Sequence, residues 1–169
     1  MATALFIGRF QPLHTGHVKA VKHILSKEDG LALGIGSAQY ENTLDNPFTL
    51  EERRRMLEAV FADSLDRIKI FSVTDIHNEP RWVAHVLDAA PAFDVVYTSS
   101  EVEARLFKDA GYRVVRIPFF ERGKYRGTDI REKMASCRQW RNLVPGEAVK
   151  VIDDLDGVDR IKKITSKSS

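Results

Sequence analysis

A single cysteine, Cys137, stands among the 169 residues, so no internal disulfide can form and a reducing compartment suits the chain. Beside Ser136 in a helical stretch, that thiol reads as a small packing residue rather than a nucleophile. Charge of one sign is also lacking: 26 basic residues face 24 acidic ones, for a net charge of +2. That balance offers no bulk attraction to nucleic acid or to an anionic membrane, so neither is expected as a partner. Phosphate chemistry, if there is any, has to come from local clusters of Arg and His. No apolar run reaches the length of a membrane span, and the first residues lack the charged-then-apolar order of a signal peptide. A cytoplasmic setting is therefore expected. Internal repeats, low-complexity tracts and long linkers are missing too, which leaves residues 1–169 as one domain.

What is present fits an ordinary globular chain, 43% apolar and 30% charged. Short apolar runs alternate with helical patterns as far as about residue 117. Strands are expected at 3–8, 30–36, 68–73, 94–98 and 113–117, with helices near 16–28, 49–62, 80–90 and 100–110. Thr49 with Glu52, and Ser100 with Glu103, have capping-box spacing, and Gly111 reads as a helix stop. This alternation predicts a doubly wound, Rossmann-like α/β fold with five parallel strands and helices on both faces. Beyond it, Pro118 to Arg126 reads as a polar, aromatic loop. A C-terminal helical extension over about 128–169 follows, in which Val149, Ile152, Leu155, Ile161 and Ile164 mark an amphipathic segment, with a fraying Lys/Ser tail.

The most informative stretch is Gly8-Arg9-Phe10-Gln11-Pro12-Leu13-His14-Thr15-Gly16-His17, placed where the first strand hands over to a helix N-terminus. Free N–H groups and the positive end of the helix dipole favour anions there, and imidazoles add donors. Gly16, lacking a side chain, lets a phosphate approach the backbone. A plainer reading has His17 capping or packing the helix start while His14 is exposed. A metal reading fails for want of neighbouring Cys or carboxylate ligands.

A second cluster is Gly127-Thr128-Asp129-Ile130-Arg131. With Thr128 as N-cap, Arg131 lies one turn along, so a hydroxyl, a helix N-terminus and a guanidinium can converge on a triphosphate. The plainer alternative is an ordinary capped helix with a solvated Arg. Gly34-Ile35-Gly36 is only a weak dinucleotide signal, because the third glycine is missing and it follows the second strand. No Walker A motif occurs. The run Arg53-Arg54-Arg55 reads as a solvated helix face, and Trp82, four residues before Val86, fits a core position equally well.

Taken together, the early G-R-F-x-P-x-H-x-G-H and the late G-T-x-I-R resemble the HxGH nucleotidyltransferase superfamily. Gly36-Ser37-Ala38-Gln39, Asn46-Pro47-Phe48-Thr49 with Glu52-Arg53, Asp75-Ile76 and Trp82-Val83 bring it closer to the archaeal type of nicotinamide-nucleotide adenylyltransferase. The resemblance runs from about residue 4 to the tail. It implies adenylyl transfer from ATP to nicotinamide mononucleotide (NMN), giving NAD and pyrophosphate without a covalent intermediate. It implies His14, His17, Arg53 and Arg131 as the catalytic set. Gly8, Arg9, Phe10, Gly16, Thr98, Ser99, Gly127 and Thr128 would contact ATP. Gly36, Ser37, Gln39, Asp75, Asn78, Glu79 and Trp82 would contact NMN, with Trp82 stacking on the pyridine ring. It also implies Mg²⁺ carried mainly on the ATP phosphates, no metal ligands from the chain, and a homo-oligomer such as a hexamer.

Two positions depart from the pattern. Arg126 stands where a small hydroxyl residue usually opens the late motif. Asn78-Glu79-x-x-Trp82 resembles the order of bacterial relatives, leaving open which of Asn78 and Glu79 reads the base. A buried Glu79 would disfavour the nicotinic acid form. Two rivals remain: transfer to another phosphate acceptor, such as phosphopantetheine, FMN or a polyol phosphate, and a non-catalytic nucleotide sensor on the same fold.

Overall fold

Five short strands, among the described residues, line up as one parallel sheet in the computed structural model, which describes residues 2–118 and 123–168. The elements follow in the order β1 Thr3–Gly8, α1 Thr15–Lys27, β2 Gly30–Ile35, α2 Leu50–Val60, β3 Ile68–Ser72, α3 Glu79–Ala89, β4 Val95–Thr98, α4 Glu101–Asp109 and β5 Arg113–Arg116. Then come α5 Gly127–Ala135, α6 Gly146–Asp154 and α7 Gly157–Ser168. The sheet order is β3-β2-β1-β4-β5, so the direction of winding reverses between β1 and β4. That reversal opens a crevice beyond the carboxyl ends of the two strands, the place where doubly wound sheets bind ligands.

Strand periodicity sorts the core into two layers. In register, Leu5 faces Ala32 and Val96, and these side chains pack with Phe71, Val86 of α3 and Phe107 of α4 on one side. The alternate residues Ala4, Phe6, Leu31, Leu33, Val95 and Tyr97 pack on the other side against α1, α2 and the C-terminal helices. Ile130, Met134, Ile152 and Ile161 belong to that same buried cluster, so the C-terminal segment closes the second layer.

The helix signals fare unevenly. Thr49 and Glu52 form a complete capping box, with the Thr49 hydroxyl accepting from the Glu52 N–H and the Glu52 carboxylate from the Thr49 N–H. At α4 only half a box forms. Ser100 Oγ accepts from the Glu103 N–H, but the Ser100 N–H goes to Thr98 Oγ1, and the Glu103 carboxylate turns elsewhere. The C-terminal amphipathic segment is two helices, broken where Asp156 takes a left-handed conformation, and α7 stays helical through Ser168 rather than fraying. Cys137 is exposed just after α5 rather than buried as a packing residue, at a turn where its φ is 59°. Of the loop expected at Pro118 to Arg126, residues 119–122 lie outside the described residues.

Candidate active site

The sequence puts His14 and His17 at the start of α1; the structure turns them into a reciprocal cap. His14, the N-cap, accepts the Gly16 N–H at Nδ1, 3.1 Å away, while its own N–H donates to His17 Nδ1 at 3.1 Å. A neutral imidazole whose Nδ1 accepts carries its proton on Nε2. Both rings therefore present an Nε2–H. They stack 3.7 Å apart, with Phe10 edge-on behind His17 and Tyr125 parallel to His14 at 6.4 Å. Burial pulls His14 down to a pKa of about 4. Burial and the neighbouring His14 hold His17 well below the usual histidine value. At neutral pH the pair acts as two fixed neutral donors. His14 is buried rather than exposed, and it, not His17, makes the cap to Gly16.

These rings face a cavity of about 390 Å³ lined by Gly8, Arg9, Gly16, Ser99, Arg126, Gly127 and Thr128. Gly16 is needed for a reason other than ligand approach. A Cβ there would sit 2.9 Å from the His14 ring and 3.0 Å from Tyr125. Gly127 likewise leaves room for the guanidinium of Arg131, 2.9 Å from where its Cβ would be. The helix α5 starts at Gly127 with Arg126 as N-cap, so Thr128 lies inside the first turn and no side chain caps the end. Its first N–H groups remain available to an anion at the cavity wall. Arg131 is buried beneath, donating to Gln11 O at 2.8 Å and to Thr128 Oγ1 at 3.4 Å.

Arg53 behaves differently from expectation. Its side chain is fully buried, and its N–H groups go to the carbonyl oxygens of Thr49, Arg9, Gly36, Ser37 and Tyr40. Burial and the charge of Arg9 lower it to about 10, so it stays charged. With its donors engaged it cannot contact a phosphate directly in this arrangement; it ties the loop after β1 to the loop after β2. The reading of Arg53–Arg55 as a solvated face holds for Arg55, which pairs with Asp154, and fails for Arg53.

A second cavity, about 480 Å³, gathers Asp75, Asn78, Glu79, Trp82, Ser100 and Glu103. Ser99 and Ser100, adjacent after β4, border the two cavities respectively. Trp82 both lines this space and packs on the core layer of α3 and α4, so the two readings of its position coincide. Asn78 caps α3 through its side-chain oxygen. Glu79 is exposed and paired with Arg105 at 3.0 Å, which removes it as a buried charge against the acid form of the base.

Five expected contacts fall outside both linings. Phe10 and Thr98 are buried supports. Gly36 offers its carbonyl to Arg53. Gln39 grips the backbone of Asp75 through both its amide atoms, and Ser37 donates to the Asp75 carboxylate at 2.7 Å. These bonds hold the loop after β2 to the loop after β3. Tyr125 and Glu103 escaped the sequence reading. One stood in an aromatic loop, and the other was read only as the third residue of a cap. A further hollow, about 980 Å³, lies between residues 40–46 and α7; two of its lining residues touch the expected set from behind, Asp45 at 3.8 Å from Arg131 and Tyr40 through its carbonyl to Arg53.

The cytidylyltransferase-like family profile matches residues 5–133. The nicotinamide-nucleotide adenylyltransferase of Archaeoglobus fulgidus is 41% identical over 97% of this chain and 98% of its own length. That of Thermoplasma acidophilum is 41% identical over 96% of this chain and 92% of its own. A bifunctional NMN adenylyltransferase/ADP ribose pyrophosphatase from Francisella tularensis, solved with AMP and a manganese ion, superposes with a TM-score of 0.78 at 19% identity. The alignment covers 99% of this chain and 53% of that one, a likeness of fold.

Proposed function

The chain belongs to the cytidylyltransferase-like family, and from that premise we infer that it transfers the adenylyl group of ATP to nicotinamide mononucleotide, releasing pyrophosphate and forming NAD. The observation that carries this reading is the pair of stacked imidazoles with both Nδ1 atoms engaged, set in a cavity that adjoins the one beside Trp82.

The nucleophile is a phosphate oxygen of the mononucleotide, already anionic, so the chain needs no nucleophile or base of its own. Its work is alignment and stabilisation of charge. The Nε2–H groups of His14 and His17 donate to phosphate oxygens as negative charge builds on the departing pyrophosphate. The uncapped start of α5, Arg126 and Arg9 supply further positive potential, and Arg131 fixes the α5 end against the loop after β1. Arg53 is a positioning residue. Trp82 offers its face to the pyridinium ring, which suits cation–π stacking.

Among the described residues that line the first cavity, none is a carboxylate, so the chain itself offers a divalent ion no hard oxygen cage. Magnesium accordingly enters as part of the substrate, on the ATP phosphates. No helix among the described residues is long and apolar enough to cross a membrane; a cytoplasmic enzyme acting as one domain and assembling as a homo-oligomer completes the proposal. The test is pyrophosphate release with ATP, Mg²⁺ and, separately, NMN, nicotinic acid mononucleotide (NaMN), FMN and phosphopantetheine. Release with NMN and appearance of NAD is expected. Release with FMN or phosphopantetheine alone would keep the triphosphate site and overturn the acceptor. A folded protein that binds ATP yet releases nothing with any of them would overturn catalysis in favour of sensing.

A further inference from the structure

Three acidic residues, Asp75, Glu79 and Glu103, line the acceptor cavity, and the mechanism uses none of them; Glu103 is the one beside the Trp82 indole. It sits in the first turn of α4, where a reciprocal cap would point its carboxylate back at the Ser100 N–H. Instead Thr98 Oγ1 takes that N–H, at 3.0 Å. The freed carboxylate accepts hydrogen bonds from the Thr98 hydroxyl and the Trp82 indole, and burial pushes its pKa up while these bonds pull it down, the net being upward. Both partners are neutral donors. Of the two other carboxylates of the cavity, Glu79 is matched by Arg105; Asp75, like Glu103, meets a neutral donor, the Ser37 hydroxyl, but of the three it is Glu103 that holds the Trp82 indole. No Lys or Arg is among the described lining residues. Glu103 is thus an uncompensated carboxylate on the edge of the ring expected to stack on the base.

Resting on the reading of NMN as acceptor, we propose that Glu103 is the specificity-determining residue of the acceptor site, favouring a pyridinium ring that bears a carboxamide over one that bears a carboxylate. Two effects follow, the first on affinity for either mononucleotide and the second on the choice between them. Donation of the indole N–H to Glu103 enriches the Trp82 ring in electron density and fixes its orientation, favouring a cationic ring on its face. A carboxylate on the incoming ring instead meets a like charge. At about 7 Å and an effective dielectric constant of about 30, that repulsion costs roughly tenfold in affinity. Both mononucleotides carry the pyridinium charge, so it is the second effect that separates them.

The experiment compares NMN with NaMN in the wild-type chain, Glu103→Gln and Glu103→Leu, by kcat/KM for pyrophosphate release and by calorimetric Kd. Glu103→Gln removes the charge but can still accept the indole N–H; thermal melting verifies that each variant folds. The expected result is a wild-type preference for NMN that falls about tenfold in Glu103→Gln, carried by KM and Kd, with kcat for NMN and KM for ATP within about twofold. Glu103→Leu should lose the preference equally and weaken NMN further, because Trp82 loses its acceptor. Parallel weakening of both mononucleotides, leaving their ratio unchanged, would assign Glu103 a merely structural role and overturn the proposal. The Kd ratio is read without turnover, so a chain that binds both mononucleotides but releases no pyrophosphate would overturn the assigned reaction while still deciding the role of Glu103.

Discussion

Replacing Arg53 by methionine separates two roles that sequence cannot distinguish. Were Arg53 a phosphate ligand, Arg53→Met would leave the fold intact and lose turnover. The structure predicts the reverse order of effects. Met preserves most of the apolar stem but abandons the carbonyl oxygens of Arg9, Gly36 and Tyr40, of which Gly36 is bonded most closely at 2.8 Å, while the Ser37 carbonyl keeps the Tyr40 N–H. Each buried acceptor left unpaired costs about 1–3 kcal/mol, partly relieved by water entering near Tyr40, against which stands the desolvation no longer imposed on a buried guanidinium. A net loss of about 4 kcal/mol follows, and for a chain of this size that lowers Tm by about 10 °C. Because the tie joins the loops after β1 and β2, KM for both substrates should rise together. Differential scanning calorimetry beside initial-rate kinetics reads both effects. A variant that melts within about 2 °C of the wild type while kcat falls a hundredfold would refute the positioning role and restore the phosphate contact.

The other expectations are simpler. His17→Asn retains an acceptor for the His14 N–H but no Nε2–H, so kcat should fall by two to three orders of magnitude, roughly as when a transition-state donor is removed, with little change in Tm; a turnover within tenfold of normal would exclude His17 from the chemistry. His14 has a folded pKa of about 4 against 6.5 when free, so the unfolded chain binds the extra proton between those values. Stability is full above about pH 6.5 and declines as pH falls towards 4, by about 2 kcal/mol between pH 7 and pH 5 for this group; NMR titration showing His14 protonated near pH 6.5 would contradict it. Gly16→Ala should push the His14 ring aside and reduce kcat/KM at least tenfold, whereas Gly123→Ala, where an added Cβ meets nothing, should have no effect. Arg160 bonds both carboxylate oxygens of Glu52, joining α7 to α2. Burial opposes ionisation of Glu52, but Arg160 and Thr49 outweigh it and hold the carboxyl below its usual range. Arg160→Ala should therefore cost about 2 kcal/mol at pH 7 and less below pH 4 in urea unfolding.

The legible parts of this chain are those governed by local rules. Each strand holds a short apolar stretch, and a start or end misplaced by one residue shifts no side chain across the sheet; β1 appears at 3–8 as expected, and β5 at 113–116, one residue short of the expected end at 117. Thr49 and Glu52 cap α2 because both partners lie within one turn. The histidines were legible as a pair, since three-residue spacing at a helix start forces them together. Local rules misled at Ser100–Glu103, where Thr98, across the end of β4, outcompeted the capping carboxylate. Thr128 also has the residue type of an N-cap, yet the N-cap of α5 is Arg126, two residues earlier.

Residue types and their order along the chain determined the alternating α/β pattern, the placement of the His14–His17 and Gly127–Arg131 clusters at helix starts and, through their combination, the family. Burial and pairing were decided only by the tertiary structure, because they depend on residues far apart in sequence. Arg53 became a brace rather than a ligand when carbonyl groups from residues 9, 36, 37 and 40 converged on it. Glu79 lost its isolated charge to Arg105, and Glu103 acquired that isolation beside Trp82. A charge costs or contributes according to the solvent and partners around it, and those are fixed only when β1 and β4 lie side by side.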